Sequence, residues 1–303
     1  MNLADNKELF EQAVLRTSEW LNINPAIIEK DYYVTRILKQ LVTLDPNIIF
    51  KGGTSLSKCY KLIERFSEDV DLNYDNHGEN LTVGMRRNFS KFVMNCGELI
   101  GMELYNLEEI YSRRNFNRYV FRYPAAYSFE AVKSQLIIET AVEIKSFPTE
   151  IKEADSYIYQ YLRAENLEQF IDDFALSPFD VVVQKKERTF VDKIFAVCDY
   201  YLSKEIHEHS RHLYDLYKLL PTIEIGDELV GLINDVRSVR KESKMCLSAQ
   251  DGCNVGKVLK EIINNNIYRN DYQTITRDLL FERVEYDAVI DNLQKIVDLN
   301  FGI

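Results

Sequence analysis

The stretch IIFKGGTSLSKCYKLIERFSEDVDLNY, residues 48–74, constrains the fold more than any other part of this chain. Ile48–Phe50 reads as a short apolar strand, Gly52 and Gly53 as a sharp turn, and Thr54, Ser55 and Ser57 as the start of a helix expected over about residues 55–65. Asp69–Tyr74 then returns as a second strand. Alternation turns Val70 and Leu72 toward a core and sets Asp69 and Asp71 on the opposite face, with Cα atoms roughly 6.5 Å apart. Two carboxylates so placed can lean onto one hard cation such as magnesium, which takes oxygen ligands and commonly bridges to substrate phosphates. Glycine lets a backbone approach a ligand closely, and the free N–H groups of a helix start favour phosphate. A half-buried strand shows the same alternation, so the DxD pair alone is a weak signal. Glycine turn, hydroxyls, helix and DxD together are a specific one.

The surroundings read as a mixed α/β chain. NKELFEQAVLRTSEWL and AIIEKDYYVTRILKQLV carry apolar residues at helical spacing, and Asn24 and Pro25 suit the cap and first turn of the second helix. Another helix is expected from about 83 to 110. Three strand-like runs follow, RNFNRYVFRYP, SQLIIETAVEI and FDVVVQKKERTF, and the pattern is helical from Phe190 onward. The expected organisation is a core over residues 1–190 that includes the N-terminal helices, and a helical C-terminal domain over 191–303 contributing to the cleft. With 46% hydrophobic residues, 11 Gly and 6 Pro, the chain is globular. It holds no apolar run of membrane-spanning length, and MNLADNKELFEQAV has acids where a signal peptide needs basic residues. Cys59, Cys96, Cys198, Cys246 and Cys253 lack CxxC spacing and read as reduced thiols, so a cytoplasmic protein without membrane association is expected.

A net charge of −11 argues against generic polyanion binding. One local exception is YSRRNFNRYVFRYP, where Arg113, Arg114, Arg118 and Arg122 alternate with aromatics. That pattern suits contacts with nucleic acid or nucleotide, and equally an ordinary strand with one solvated face. His207, His209 and His212 in IHEHSRH lack zinc-ligand spacing and are expected as solvated loop residues. DGCNVGKV has three residues where a Walker loop needs four, and no GxSxG occurs.

FKGGTSLSKCYKLIERFSEDVDL resembles the AbiEii/AbiGii nucleotidyltransferase toxins of type IV toxin–antitoxin and abortive-infection systems. AIIEKDYYVTRIL resembles that family's N-terminal helix signature, RYVFRYP the strand before its third acidic position, RTFVDKIFAV its lysine motif and SRHLYDLYKLL its final arginine–aspartate motif. These pieces span residues 24 to 220 in order, and nothing quotable follows 221. The lysine motif usually has Glu before Lys, where this chain has Asp192.

The resemblance implies a polymerase-β-like nucleotidyltransferase core with a mixed sheet. Gly52, Gly53, Thr54 and Ser55 would cradle a nucleoside triphosphate, with Lys58 and Arg211 as further nucleotide contacts. Asp69 and Asp71 would hold Mg2+ or Mn2+, Lys193 would contact phosphate, and Asp215 would complete the site. Sites of this kind commonly add a third carboxylate from a neighbouring strand. Glu139, flanked by apolar residues in LIIETAVEI, is the first choice, and Glu143 the second. The expected activity is transfer of a nucleoside monophosphate from an NTP to an acceptor, with tRNA as the plausible one, restrained by a separately encoded antitoxin. Two alternatives stand beside it: a GTP-binding regulator without turnover, and a small-molecule nucleotidyltransferase of the antibiotic-modifying kind.

Overall fold

The computed structural model describes residues 2–67, 69–77, 79–111, 114–129 and 132–301. Contacts divide the chain into two units, Met1–Tyr60 with Ser67–Val183, and Lys61–Phe66 with Gln184–Ile303. The junction expected near residue 190 thus falls at Val183, and a short piece from between the glycine turn and the acidic strand belongs to the second unit.

In the first unit, helices α1 (Lys7–Leu21) and α2 (Pro25–Leu44) lead into strand β1 (Ile48–Lys51). The Asn24 side chain caps α2 by accepting the Ala26 N–H at 2.9 Å, with Pro25 in the first turn. Next come α3 (Gly52–Lys58), β2 (Asp69–Tyr74), α4 (Val83–Leu99), β3 (Glu103–Leu104), β4 (Phe116–Arg122) and β5 (Gln135–Ala141). β6 (Thr149–Ala154), α5 (Tyr157–Ala164), α6 (Glu168–Asp173) and β7 (Phe179–Gln184) complete the unit. The strands form one seven-stranded mixed sheet in the order β3-β4-β5-β2-β1-β7-β6. β2 runs antiparallel to β1 and parallel to β5, while β1 is parallel to β7.

One face of the sheet is core. Phe50, Val70, Leu72, Leu136, Ile138, Tyr119 and Phe121 are fully buried on it, against α2 and α4. Helix α4 approaches very closely at Gly97, where an added Cβ would lie 2.1 Å from the Phe121 ring.

The element ends differ from the sequence pattern for identifiable reasons. Helix α3 starts at Gly52 and stops at Lys58 instead of covering 55–65. The Ser55 and Ser57 hydroxyls donate back to the carbonyls of Gly52 and Thr54, and Lys61 takes a left-handed φ of 55°, which a helix cannot continue through. Helix α4 ends at Leu99 and not near 110, because Gly101 turns the chain with a φ of +78°. The run FDVVVQKKERTF is a strand only to Gln184 and is helical from Lys186. β6, α5 and α6 occupy a stretch to which the patterns assigned no element.

The signature IIEKDYY on α2 is a set of braces. Glu29 accepts the N–H groups of Ala126 and Tyr127, Lys30 donates to the Lys133 carbonyl, and the Tyr33 and Tyr123 rings stack with centroids 4.4 Å apart. Burial raises the Glu29 carboxyl above its ordinary value, with the two backbone donors working against that rise. Asp31 accepts from Lys58 at 2.6 Å and from the Tyr157 N–H at 2.9 Å, which holds α3 and α5 to α2.

In the second unit, α7 (Lys186–Ser203), α8 (Arg211–Leu219), α9 (Asp227–Lys241) and α10 (Val255–Asn264) precede a helical stretch with a π turn at Tyr272–Thr276 and a last helix, Tyr286–Asp298. α8 packs on α7, and its Leu213, Leu216 and Leu219 are buried as their spacing requires. No described helix is long and apolar enough to cross a membrane.

Gly97→Val forces two methyl groups and a Cβ into the Phe121 ring, and overpacking of this kind costs about 1–3 kcal/mol. Urea unfolding of the variant should show that loss at an unchanged denaturant slope.

Candidate active site

The strand register lines up a row of charges. Lys51 of β1 lies opposite Asp71 of β2, Asp71 opposite Glu139 of β5, and Glu139 opposite Arg118 of β4. Directly paired residues point to the same face, so all four project from the face away from the core, with Asp69 one pleat further along. Asp69 and Asp71 are half-buried, and Val70 and Leu72 are fully buried on the other face, as the alternation requires. Glu139 is half-buried and its carboxylate lies 3.6 Å from the Arg118 guanidinium. Glu143, the second choice, is exposed and lies beyond the end of β5.

The glycine turn closes over this row. Gly52 has a φ of +76°, and a Cβ there would sit 1.9 Å from an Asp71 carboxylate oxygen. Two independent requirements, conformation and space, therefore demand glycine at 52. Thr54 and Ser55 are buried, and their hydroxyls are engaged within the protein. Thr54 Oγ1 donates to the Asp69 carbonyl and bonds Ser67 Oγ, and Ser55 Oγ donates to the Gly52 carbonyl. These side chains fix the turn to the acidic strand, leaving its backbone as the part that can meet a ligand.

Lys58 corrects the expectation of a nucleotide contact. Its ammonium is buried and donates to Asp31 Oδ1 and Thr35 Oγ1, each at 2.6 Å, and to the Asp155 carbonyl at 3.3 Å. With its three protons so directed, it ties α3 to α2.

The second unit holds a buried ion cluster. Asp215, expected to complete the site, is wholly buried. Arg65 grips it with two bonds, Nε to Oδ1 and Nη2 to Oδ2, each 2.7 Å. Lys193 Nζ donates to Oδ2 at 2.5 Å and lies 3.5 Å from His212 Nδ1. Burial alone would raise the Asp215 carboxyl, but Arg65 and Lys193 outweigh it and hold the group well below the usual carboxylate range. Burial lowers Lys193, with Asp215 opposing. Burial, then the charges of Lys193 and Arg211, hold His212 far below its ordinary value.

Arg65 is the residue that sequence reading missed. It sits four positions before Asp69, in the segment that clusters with the second unit, where Arg65 and Leu280 form an antiparallel bridge. Glu64 beside it pairs with Lys218 at 2.7 Å. A signal was present: one arginine between Ile63 and Phe66, both buried.

Asp192, where the motif usually has Glu, accepts from Gln184, Arg188 and Arg240. Arg240 also reaches Asp199 at 2.7 Å, so α9 is bound to α7 through two carboxylates. His209 and His212 are not solvated loop residues. They stack on Tyr200 with centroids 3.4 and 5.7 Å away, and burial lowers His209 to about 4. His207 is exposed.

The arginine run divides. Arg113 lies outside the described residues. Arg114 lies over the Tyr111 ring at 4.1 Å and Arg122 over the Tyr105 ring at 3.7 Å.

The model of the AbiEii nucleotidyl transferase toxins of Type IV toxin–antitoxin systems matches residues 36–292. The chain belongs to that family. The match contains the glycine turn, the Asp69–Asp71 strand, Lys193 and Asp215. It begins after most of the N-terminal signature and runs through α9 and α10, so the C-terminal third that carried no motif is part of the AbiEii span. A search of curated proteins finds no match.

Among the described residues, no three His, Cys, Asp or Glu side chains cluster as a complete metal cage. Magnesium does not need one. It is commonly bound by one or two carboxylates together with substrate phosphates, and Asp69 and Asp71 on one face fit that use.

Asp215→Asn leaves two buried cations without their counter-charge, which costs about 3–5 kcal/mol. The folded-state carboxyl is depressed, so its stabilisation is full above the unfolded value of about 3.9 and is lost as pH falls through the lower folded value. The unfolding free-energy gap between wild type and Asp215→Asn should therefore stay constant down to about pH 4 and shrink only below it.

Proposed function

We propose that this AbiEii-family chain transfers a nucleoside monophosphate from an NTP to a hydroxyl of an RNA acceptor, releasing pyrophosphate, in a magnesium-dependent reaction. tRNA is the acceptor the family resemblance implies. The observation that carries the reading is the row Lys51–Asp71–Glu139–Arg118 with the Gly52 backbone pressed on the Asp71 carboxylate. It gathers two strand-borne aspartates, a third carboxylate and a close-approaching backbone turn on one face of a sheet.

Asp69 and Asp71 hold the divalent cation, Mg2+ or Mn2+, with Glu139 as the third carboxylate. The cation supplies charge neutralisation at the phosphates and acidifies the attacking hydroxyl. Gly52 and Gly53 bring backbone against the triphosphate, and Thr54 and Ser55 hold that backbone in place. Arg118 balances Glu139 and keeps it in the row. Lys193 and Arg211 are carried forward as the phosphate contacts that the family resemblance implies; Arg65 and Lys193 share the Asp215 carboxylate. Asp215 acts by positioning these cations.

The family is that of Type IV toxins, and restraint by a separately encoded antitoxin belongs to the same proposal. We place the protein in the cytoplasm, where NTP and RNA are available and its cysteines remain reduced.

Purified protein incubated with α-labelled NTPs, Mg2+ and total RNA tests the reading. Label in RNA supports it. Label only in small molecules would move the acceptor to that class, and bound but unreacted nucleotide would make the chain a binding regulator. Asp71→Asn should lower transfer by more than about 100-fold, beyond the 10–100-fold typical of groups that merely orient a metal ligand. Gly52→Ala should weaken NTP binding in calorimetry, because the new methyl displaces the Asp71 carboxylate; unchanged affinity would show that the turn does not meet the nucleotide.

A further inference from the structure

The sheet face that carries the acids continues onto β4 as a basic and aromatic strip. Phe116, Arg118 and Arg122 are exposed there, with Tyr105 beside them at 58% exposure. Arg118 stands in the same row as Asp71, and Arg122 is opposite Gln135, one pleat beyond the Asp69 row. The strip therefore runs alongside the aspartate pair, two strand spacings or about 10 Å away.

The state of Arg122 is informative. Glu103 lies opposite it on β3, yet its guanidinium rests on the Tyr105 ring at 3.7 Å and, among the described residues, makes no ion pair. A guanidinium held over an exposed ring keeps N–H groups available for phosphate oxygens, and the other face of the tyrosine remains a stacking platform. Where β4 ends and β5 begins, a hollow of about 490 Å³ is lined by Arg122, Tyr123, Lys133, Ser134 and Gln135. Its rim is rigid: Lys30 holds the Lys133 carbonyl, Glu29 holds the backbone at 126–127, and Tyr33 stacks on Tyr123. On a chain of net charge −11, this local concentration of cations and exposed rings is complementary to a strand with charged phosphates and unstacked bases. A duplex, whose bases are already stacked, could not use the rings.

Building on the nucleotidyltransferase reading, we propose that this strip, Tyr105, Arg118 and Arg122 with the hollow at Lys133, is where the single-stranded end of the RNA acceptor docks. The phosphates lie on Arg122 and Lys133, a base stacks at Tyr105, and the terminal hydroxyl is led past the Arg118–Glu139 pair and across β5 to the aspartates.

The test uses the full chain, a fluorescein-labelled single-stranded 12-nucleotide RNA of mixed sequence, and anisotropy over a salt series without NTP. Arg122→Gln combined with Lys133→Gln should weaken binding at least tenfold and reduce the salt slope by about 1.4, at about 0.7 per lost phosphate contact. Tyr105→Leu should weaken it about five- to a hundredfold. Lys257→Gln with Lys260→Gln, on the exposed side of α10, should leave it unchanged, and the affinity for Mg–NTP should be constant throughout. Unchanged RNA affinity in the strip variants, or an equal loss in the α10 control, overturns the proposal. The two readings separate cleanly. RNA transfer at wild-type kcat/KM in the Arg122/Lys133 variant removes the strip and leaves the activity. Strip-dependent RNA binding without transfer by any variant leaves the strip and removes the activity.

Discussion

Everything at the acidic face depends on the contact between the Gly52 backbone and the Asp71 carboxylate. No side chain fits between them, so the chain can cross in front of β2 only as glycine and only with a positive φ. Once it crosses there, the Thr54 hydroxyl reaches the Asp69 carbonyl and Ser67, and turn and acidic strand become one rigid piece. The register of β2 against β5 then fixes Glu139 beside Asp71, and that of β5 against β4 fixes Arg118 beside Glu139. A slip of one residue in either pairing would send a carboxylate into the apolar core, a cost that pins the register.

The second unit rests on a different constraint, the burial of one carboxylate with two cations. A wholly buried Asp215 is tolerable only because Arg65 meets it bidentately and Lys193 adds a third bond. Such a pair gives little net stability over a hydrophobic alternative but is severely costly to break. It therefore fixes which residue lies where: here, the segment just before the acidic strand.

Much of the first unit was legible because its signals are local. Glycines beside hydroxyls, the alternation of Asp69 to Leu72, and the Asn24–Pro25 helix start each act over a few residues. The strand row was half legible: Glu139 could be chosen for its apolar neighbours, but its alignment with Asp71 is a property of sheet order that no single strand encodes. Lys58 was misread because a lysine behind a phosphate-type turn looks like a ligand, and its real partners lie on α2 and near α5. Arg65 was missed for the same reason in reverse, since its partner is 150 residues away. The end of α3 depends on Lys61 taking a left-handed conformation, which the composition of KCYKLIERF does not announce.

The central claim is that Asp69, Asp71 and the Gly52–Ser55 turn together bind a metal–NTP complex. The most direct measurement is a crystal structure with Mn2+ and a non-hydrolysable NTP analogue, phased to locate manganese by its anomalous signal. The account predicts manganese bonded to the Asp69 and Asp71 carboxylates, with the triphosphate against the backbone of the glycine turn. Manganese away from both aspartates, or a triphosphate that does not touch the turn, would contradict it.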